Sequence, residues 1–355
     1  MMKVLIAMSG GVDSSVAAKL LCDEGCECIG CTMKLYDNCD AGLPRGRTCC
    51  SLDDVEDARS VAFSLGMRYY VFNFKDDFRE KVIKKFASGY LRGQTPNPCI
   101  DCNRYMKFDK LFERAKLLGC DKIATGHYAR IEFDGRKYRL KKALDKSKDQ
   151  SYVLYMLTQE QLAHTLFPLG SLHKTDTRAI ADTAGLSSAH KPDSQDICFV
   201  PDGDYAAAIE RLAGIKAPCG NFIDASGKVI GTHRGITHYT VGQHRGLGLS
   251  LPERRYVCSI DAENSTVTLG GSDELYSSTA EVRGFNWISG ETPAEPIRCT
   301  AKIRYRQPEQ PATAIAHKDG SITIQFDAPQ RAVTPGQAAV LYDGDTVLGG
   351  GEIVR

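Results

Sequence analysis

The sequence predicts an α/β fold: an N-terminal parallel sheet with flanking helices, followed by a small central domain and a C-terminal β-barrel. Over roughly the first 130 residues, short apolar strand patterns alternate with amphipathic helical ones, which sets parallel strands between helices on both faces. The first strand runs directly into a glycine turn and then a helix. After residue 204 the texture changes to Gly, Thr and Val in short alternating runs, the mark of strands joined by turns.

Taken in order, 3–8 (KVLIAM) read as a buried strand and 16–23 (VAAKLLCD) as the helix after the turn, which begins near Ser14 and Ser15. Residues 28–35 (CIGCTMKL) form a second strand, 52–65 a helix with aliphatic residues at helical spacing, and 68–74 a third strand. Helices follow at 78–90 and 107–118, and a fourth strand at 122–125. Between those helices, Thr95-Pro96-Asn97-Pro98-Cys99-Ile100-Asp101-Cys102-Asn103 holds two prolines and reads as an exposed, stiff loop. From residue 280 onward, turns such as Asp319-Gly320 and Asp343-Gly344 separate the strands of a small closed barrel. The expected domains are 1–203, 204–275 and 276–355. Ligands of such a sheet sit outside the carboxyl ends of its strands.

The chain has 355 residues, 42% hydrophobic and 25% charged, with a net charge of +1, so global charge announces no partner. Local charge does more. Eight basic side chains fall between Arg130 and Lys148 against Glu132, Asp134 and Asp145, and Arg298, Lys302, Arg304 and Arg306 form a run without an acid. Such runs are commonly solvated faces, and they are also what a phosphate backbone requires. No stretch has the length and apolarity of a membrane span, and the start lacks a signal-peptide pattern, so a cytoplasmic protein is expected, with no membrane partner. Fourteen cysteines in such a chain point to thiol chemistry, a metal or core filling rather than a disulfide framework.

Ser9-Gly10-Gly11-Val12-Asp13-Ser14-Ser15, set between strand and helix, is built to bind an anion. Glycines let the backbone approach closely, the helix N-terminus offers free N–H groups, and the hydroxyls add donors. Asp13 alone repels phosphate, so its expected role is to hold a Mg²⁺ that accompanies the phosphates. A plain helix cap explains one Ser or Asp but not the whole heptapeptide. No Gly-Lys-Ser/Thr P-loop exists. SGGVDSS resembles the PP-loop of ATP pyrophosphatases, which implies ATP split between its α and β phosphates and adenylation of a substrate oxygen.

Cys102, and Cys198 within Asp193-Ser194-Gln195-Asp196-Ile197-Cys198-Phe199, lie in polar segments where core filling is a poor explanation. Together they suggest a dithiol pair: a persulfide on one supplies sulfur, and the other thiol releases it by forming a disulfide. A rival reading takes Cys99, Cys102 and Cys198 as a three-cysteine iron–sulfur or metal site. Cys28 and Cys31 form a weaker pair, because strand residues three apart face opposite sides. Cys39, Cys49 and Cys50 show no metal spacing. An amidating PP-loop enzyme has no use for the paired cysteines, and a non-catalytic RNA-binding protein has none for an intact nucleotide loop.

SGGVDSS, TPNPCIDCNRYMKF, ATGHYA, KDQSYVLY, DSQDICF, HYTVGQHRGLG and KIRYRQ, in this order across almost the whole chain, resemble the tRNA-specific 2-thiouridylase family. The resemblance implies an adenine nucleotide alpha-hydrolase-like first domain and an enzyme that 2-thiolates the wobble uridine of tRNA, with AMP and pyrophosphate released. By position, it implies that Cys102 resolves a persulfide borne by Cys198, and that the two form a disulfide in one state of the cycle. It implies ATP at Ala7, Met8, Ser9, Gly10, Gly11, Val12, Asp13, Ser14, Met33 and Gly126. Asn97, Pro98 and Cys99 correspond to the segment on the target base, and His127, Lys148, Asp149, Gln150, Arg304, Tyr305 and Gln337 to tRNA contacts. The implied partners are tRNA and a sulfur donor, either a cysteine desulfurase or a persulfide relay protein. Many members carry an aspartate where this chain has Cys99, and Asp101 is the candidate substitute.

Overall fold

The computed structural model describes residues 1–36, 52–191, 197–200 and 203–355. Cys39, Cys49, Cys50 and the polar run 193–196 lie outside the described residues. The first sheet has five strands in the order β3-β2-β1-β4-β7: β1 Lys3–Ala7, β2 Glu27–Lys34, β3 Arg68–Asn73, β4 Lys122–Thr125 and β7 Thr165–Leu166. Every pairing in it is parallel, as expected. Strand alternation sends Leu5, Ile29, Cys31 and Ile123 to one core and Val4, Ile6, Cys28 and Ala124 to the other. Cys28 and Cys31 therefore face opposite sides and make no pair.

Two helical boundaries differ from the expectation. The first helix spans Val12–Asp23, starting two residues before Ser14, so Asp13 lies in its first turn. The proline-containing segment is the start of a helix rather than a loop. Asn97 caps it, accepting from the Cys99 N–H at 3.0 Å, and Pro98 takes the first position, where a missing N–H costs nothing. Helical structure then continues over 98–117, widening to i→i+5 turns across Cys102–Lys110. Only Pro96, one residue outside the cap, acts as the breaker.

A hairpin of β5 (Ala129–Phe133) and β6 (Tyr138–Lys142) follows β4 and carries much of the first basic run. It leaves the parallel sheet and joins the barrel, where Lys141 of β6 pairs with Thr346. The central sheet, order β10-β11-β8-β9, comprises β8 Gly220–Ile223, β9 Val229–His233, β10 Tyr256–Asp261 and β11 Thr266–Gly270, packed around Phe222, Tyr239, Val257 and Leu269. The last six strands are β12 Tyr276–Trp287, β13 Ile297–Lys302, β14 Gln310–Ala316, β15 Ile322–Arg331, β16 Ala338–Asp343 and β17 Thr346–Ile353. Their order β12-β15-β14-β13-β16-β17 closes through β12–β17, giving the expected barrel. No helix among the described residues is long and apolar enough to cross a membrane.

Candidate active site

The Ser9–Ser15 segment begins just past the end of β1. Gly11 caps the Val12–Asp23 helix and supplies no side-chain bond, so the first-turn N–H groups are left to whatever enters the loop. Ser14 and Ser15 both turn their hydroxyls onto the Gly11 carbonyl at 3.0 Å, which shapes the loop from within. Ser9 joins them, its N–H 3.2 Å from Ser14 Oγ. Gly10 sits at φ +75 with the Asp54 backbone so close that a Cβ would stand 2.4 Å from its carbonyl oxygen. Gly126, just past the end of β4, is nearly as close to the Asp13–Ser14 backbone. Met33 is at the end of β2, so both outlying residues of the implied nucleotide set do lie at carboxyl ends of strands.

Asp13 is held by side chains that the sequence did not single out. Lys174 Nζ donates to its Oδ1 at 2.7 Å, and the Tyr128 hydroxyl donates to the same oxygen at 2.9 Å. Lys174 is buried and its ammonium also stands 5.8 Å from the Tyr128 ring centroid. Gln150 fixes Tyr128 by a reciprocal pair of bonds with its backbone, each 2.9 Å. Tyr128 lies inside the ATGHYA motif, whereas nothing local marks Lys174, which is brought in by a distant helix. A Mg²⁺ here finds one carboxylate facing a lysine, and no other His, Cys, Asp or Glu among the described residues completes a three-ligand group. The site thus suits a cation whose remaining ligands are nucleotide phosphates and water.

The two candidate thiols both pack against one aromatic cluster. Leu35 and Phe74, just past the ends of β2 and β3, begin a core with Phe78, Phe86, Met106 and Phe199, and both Cys102 and Cys198 pack against it. Phe199 is gripped edge-on by Phe78 and Phe86, with centroids 5.8 and 5.5 Å away, and the Tyr36 hydroxyl donates to the Cys198 carbonyl at 2.8 Å. Cys99 is exposed. No three thiols gather as a metal group among the described residues.

Asp101 and Cys99 do not share a face of the helix. On a helix the two lie about 160° apart, and Asp101 faces a cavity of about 240 Å³ behind the helix with Asn97, Ile100 and Arg104. Only 5% exposed, it pairs with Lys85 at 2.8 Å, and burial raises its carboxyl above the ordinary range despite that lysine.

The implied tRNA contacts divide into exposed and enclosed groups. Tyr305 is 39% exposed, reaches the Asp149 carbonyl at 3.4 Å and lies beside Lys302 and Tyr152, a stacking face with a cation next to it. Asp149 is turned inward, accepting from Ala143 and Ser151. His127 is only 6% exposed. Its Nδ1 is 2.7 Å from Thr125 Oγ1 and its Nε2 3.3 Å from Lys107 Nζ. An ammonium only donates, so Nε2 accepts and Nδ1 carries the proton. Burial, and then Lys107, hold this imidazole well below its ordinary pKa, so it is neutral. Gln337 donates its side-chain amide to the Thr95 carbonyl, and Arg304 turns Nη2 onto the Val241 carbonyl and the Thr334 hydroxyl inside the protein, while its buried Nε has no partner among the described residues.

Three family models match in succession: "tRNA methyl transferase HUP domain" over 2–202, "tRNA methyl transferase PRC-barrel domain" over 212–271 and "Aminomethyltransferase beta-barrel domain" over 277–353. The tRNA-specific 2-thiouridylase MnmA of Acetivibrio thermocellus is 52% identical, the match covering 99% of both chains. A tRNA-specific 2-thiouridylase of Caldanaerobacter subterraneus is 51% identical over 99% of this chain and 98% of its own. That of Clostridioides difficile is 48% identical with the same coverage.

Proposed function

This chain belongs to the tRNA-specific 2-thiouridylase family, and we propose that it replaces the C2 oxygen of a tRNA wobble uridine with sulfur at the expense of ATP. The observation that carries the reading is the packing of Cys102 and Cys198 on one aromatic cluster toward the carboxyl end of the sheet, the end from which the Ser9–Ser15 segment leaves β1. The domain descriptions speak of methyl transfer and the relatives' names of sulfur, and paired thiols fit sulfur.

In this reading ATP lies along Ala7–Ser14, reaching Met33 and Gly126, with its Mg²⁺ arriving as part of the substrate and touching Asp13. The uncapped helix N-terminus and Lys174 neutralise the phosphates. The uridine O2 attacks the α-phosphate and pyrophosphate departs, which turns that oxygen into a good leaving group. A donor, a cysteine desulfurase or a persulfide relay protein, has by then placed a sulfane sulfur on Cys198. Its terminal sulfur bonds to C2, AMP leaves with the former O2, and the Cys102 thiolate attacks the Cys198 sulfur. The S–S bond to the transferred atom breaks, 2-thiouridine is released, and a Cys102–Cys198 disulfide remains for an external thiol to reduce.

In this reading Asn97, Pro98 and Cys99 lie beside the base, with Tyr305 as a stacking surface and Lys148, Asp149 and Gln150 along the tRNA, while Arg304 and Gln337 are turned inward. His127 contributes by way of Lys107. The test combines enzyme, a persulfide donor, ATP and unmodified tRNA, followed by mass analysis of the digested nucleosides. An oxygen-to-sulfur change on uridine with one AMP and one pyrophosphate is expected. ADP and phosphate as products, or unchanged uridine from folded protein, would overturn it.

A further inference from the structure

The start of the cysteine helix is held from outside its own domain. Thr95 donates its N–H to the Pro335 carbonyl at 2.8 Å, and its carbonyl accepts the Gln337 side-chain amide at 2.7 Å. Gly336, between them, has φ +88, and a Cβ there would stand 2.8 Å from the Thr95 nitrogen. Only glycine lets the barrel backbone come this near.

The same barrel segment is tied to the central domain. Arg304 Nη2 lies 2.6 Å from Thr334 Oγ1, 3.2 Å from the Ala332 carbonyl and 3.0 Å from the Val241 carbonyl. Ala332 is one of two non-glycine residues with positive φ among the described residues, at +56, so backbone strain is stored at this junction. Meanwhile the 240 Å³ cavity behind Asn97 and Asp101, which Gly336 and Ala338 also line, leaves that side of the helix without close packing. Close backbone approach at Gly336 and hydrogen bonds to the barrel therefore help to set where the helix begins.

We infer that Gln337 and Arg304 are positioning residues: they fix the helix carrying Cys99 and Cys102 through Thr95, and so couple the barrel's seating to sulfur transfer. The inference rests on the proposed role of Cys102. It gives both residues work that direct tRNA contact does not describe. A misplacement of the reacting groups by about 1 Å is enough to slow chemistry by roughly 100-fold.

The test uses the full chain with Gln337→Met, which keeps the shape and loses the donor, and Gln337→Lys, which restores a donor. Single-turnover 2-thiouridine formation at saturating tRNA should fall about 10- to 100-fold in the first and recover substantially in the second. The Kd for tRNA should stay within about twofold, and amide exchange across 95–102 should quicken in Gln337→Met alone. Weaker tRNA binding with an unchanged saturated rate would assign Gln337 to tRNA and overturn the latch. Unchanged rate and exchange would overturn it equally. Should the wild type form no 2-thiouridine, the proposed function fails, while the exchange measurement still decides the latch.

Discussion

The proposed nucleotide loop and the cysteine helix lie toward the carboxyl end of one sheet but are built in opposite ways. The loop is one heptapeptide on a strand–helix joint, cross-bonded by its own serines, and its distant partners Lys174 and Tyr128 converge on a single atom, Asp13 Oδ1. The proposed sulfur site takes Cys102 and Cys198 from separate segments, packs both against a shared apolar cluster, and has its helix start bound to the barrel. A self-contained site tolerates change elsewhere, whereas an assembled one depends on every piece that seats it. Activation of uridine should therefore survive damage to the sulfur site, and sulfur transfer should not survive damage to activation.

The strongest contrast comes from removing each centre. Cys198→Ser and Cys102→Ser should each lower 2-thiouridine formation by about 1000-fold or more, since neither hydroxyl can carry or displace a sulfane sulfur. Both should still release pyrophosphate once per bound tRNA. Asp13→Asn should abolish pyrophosphate and 2-thiouridine together. Pyrophosphate release lost in either cysteine variant would show that the two regions are one unit.

A smaller effect is expected at Lys174. Its ammonium is the buried charge paired with Asp13, and removing one preorganised charge-stabilising group commonly costs about 100-fold. Lys174→Ala should slow tRNA-dependent pyrophosphate release by that order, with tRNA binding retained and Lys174→Arg partly active. Full activity in Lys174→Ala would leave the lysine as a structural partner of Asp13 only.

The same contrast explains how much the sequence disclosed. The strand-to-helix joint at Ser9–Ser15, the parallel sheet and the closed barrel were all legible from local pattern. Lys174 was not, because only tertiary folding brings the end of a distant helix to Asp13. Two prolines around Asn97 read as a loop, yet Pro98 sits where a helix accepts proline, and the capping Asn97 was the overlooked signal. Asp101 is near Cys99 in sequence, yet helical rotation turns the two to different faces. The attachment of the 129–142 hairpin to the barrel had no signature, since pairing between distant strands leaves little local trace.

His127 stands where the two regions meet. It follows Gly126, which touches the nucleotide loop, and it accepts from Lys107 on the cysteine helix. Its native pKa is well below the ordinary value because burial disfavours the charged ring. The unfolded chain protonates this histidine below about pH 6.5 while the folded protein does not, so the unfolded state binds the extra proton. Its effect on stability is nil at pH 8 and becomes a loss as pH falls through 6.5, at up to about 1.4 kcal/mol per pH unit. Chemical denaturation at pH 5.5 and 7.5 should show wild type losing about 1 kcal/mol more than His127→Gln over that interval. Equal losses would mean that the imidazole can take up its proton in place, and that the junction is more open to water than its burial indicates.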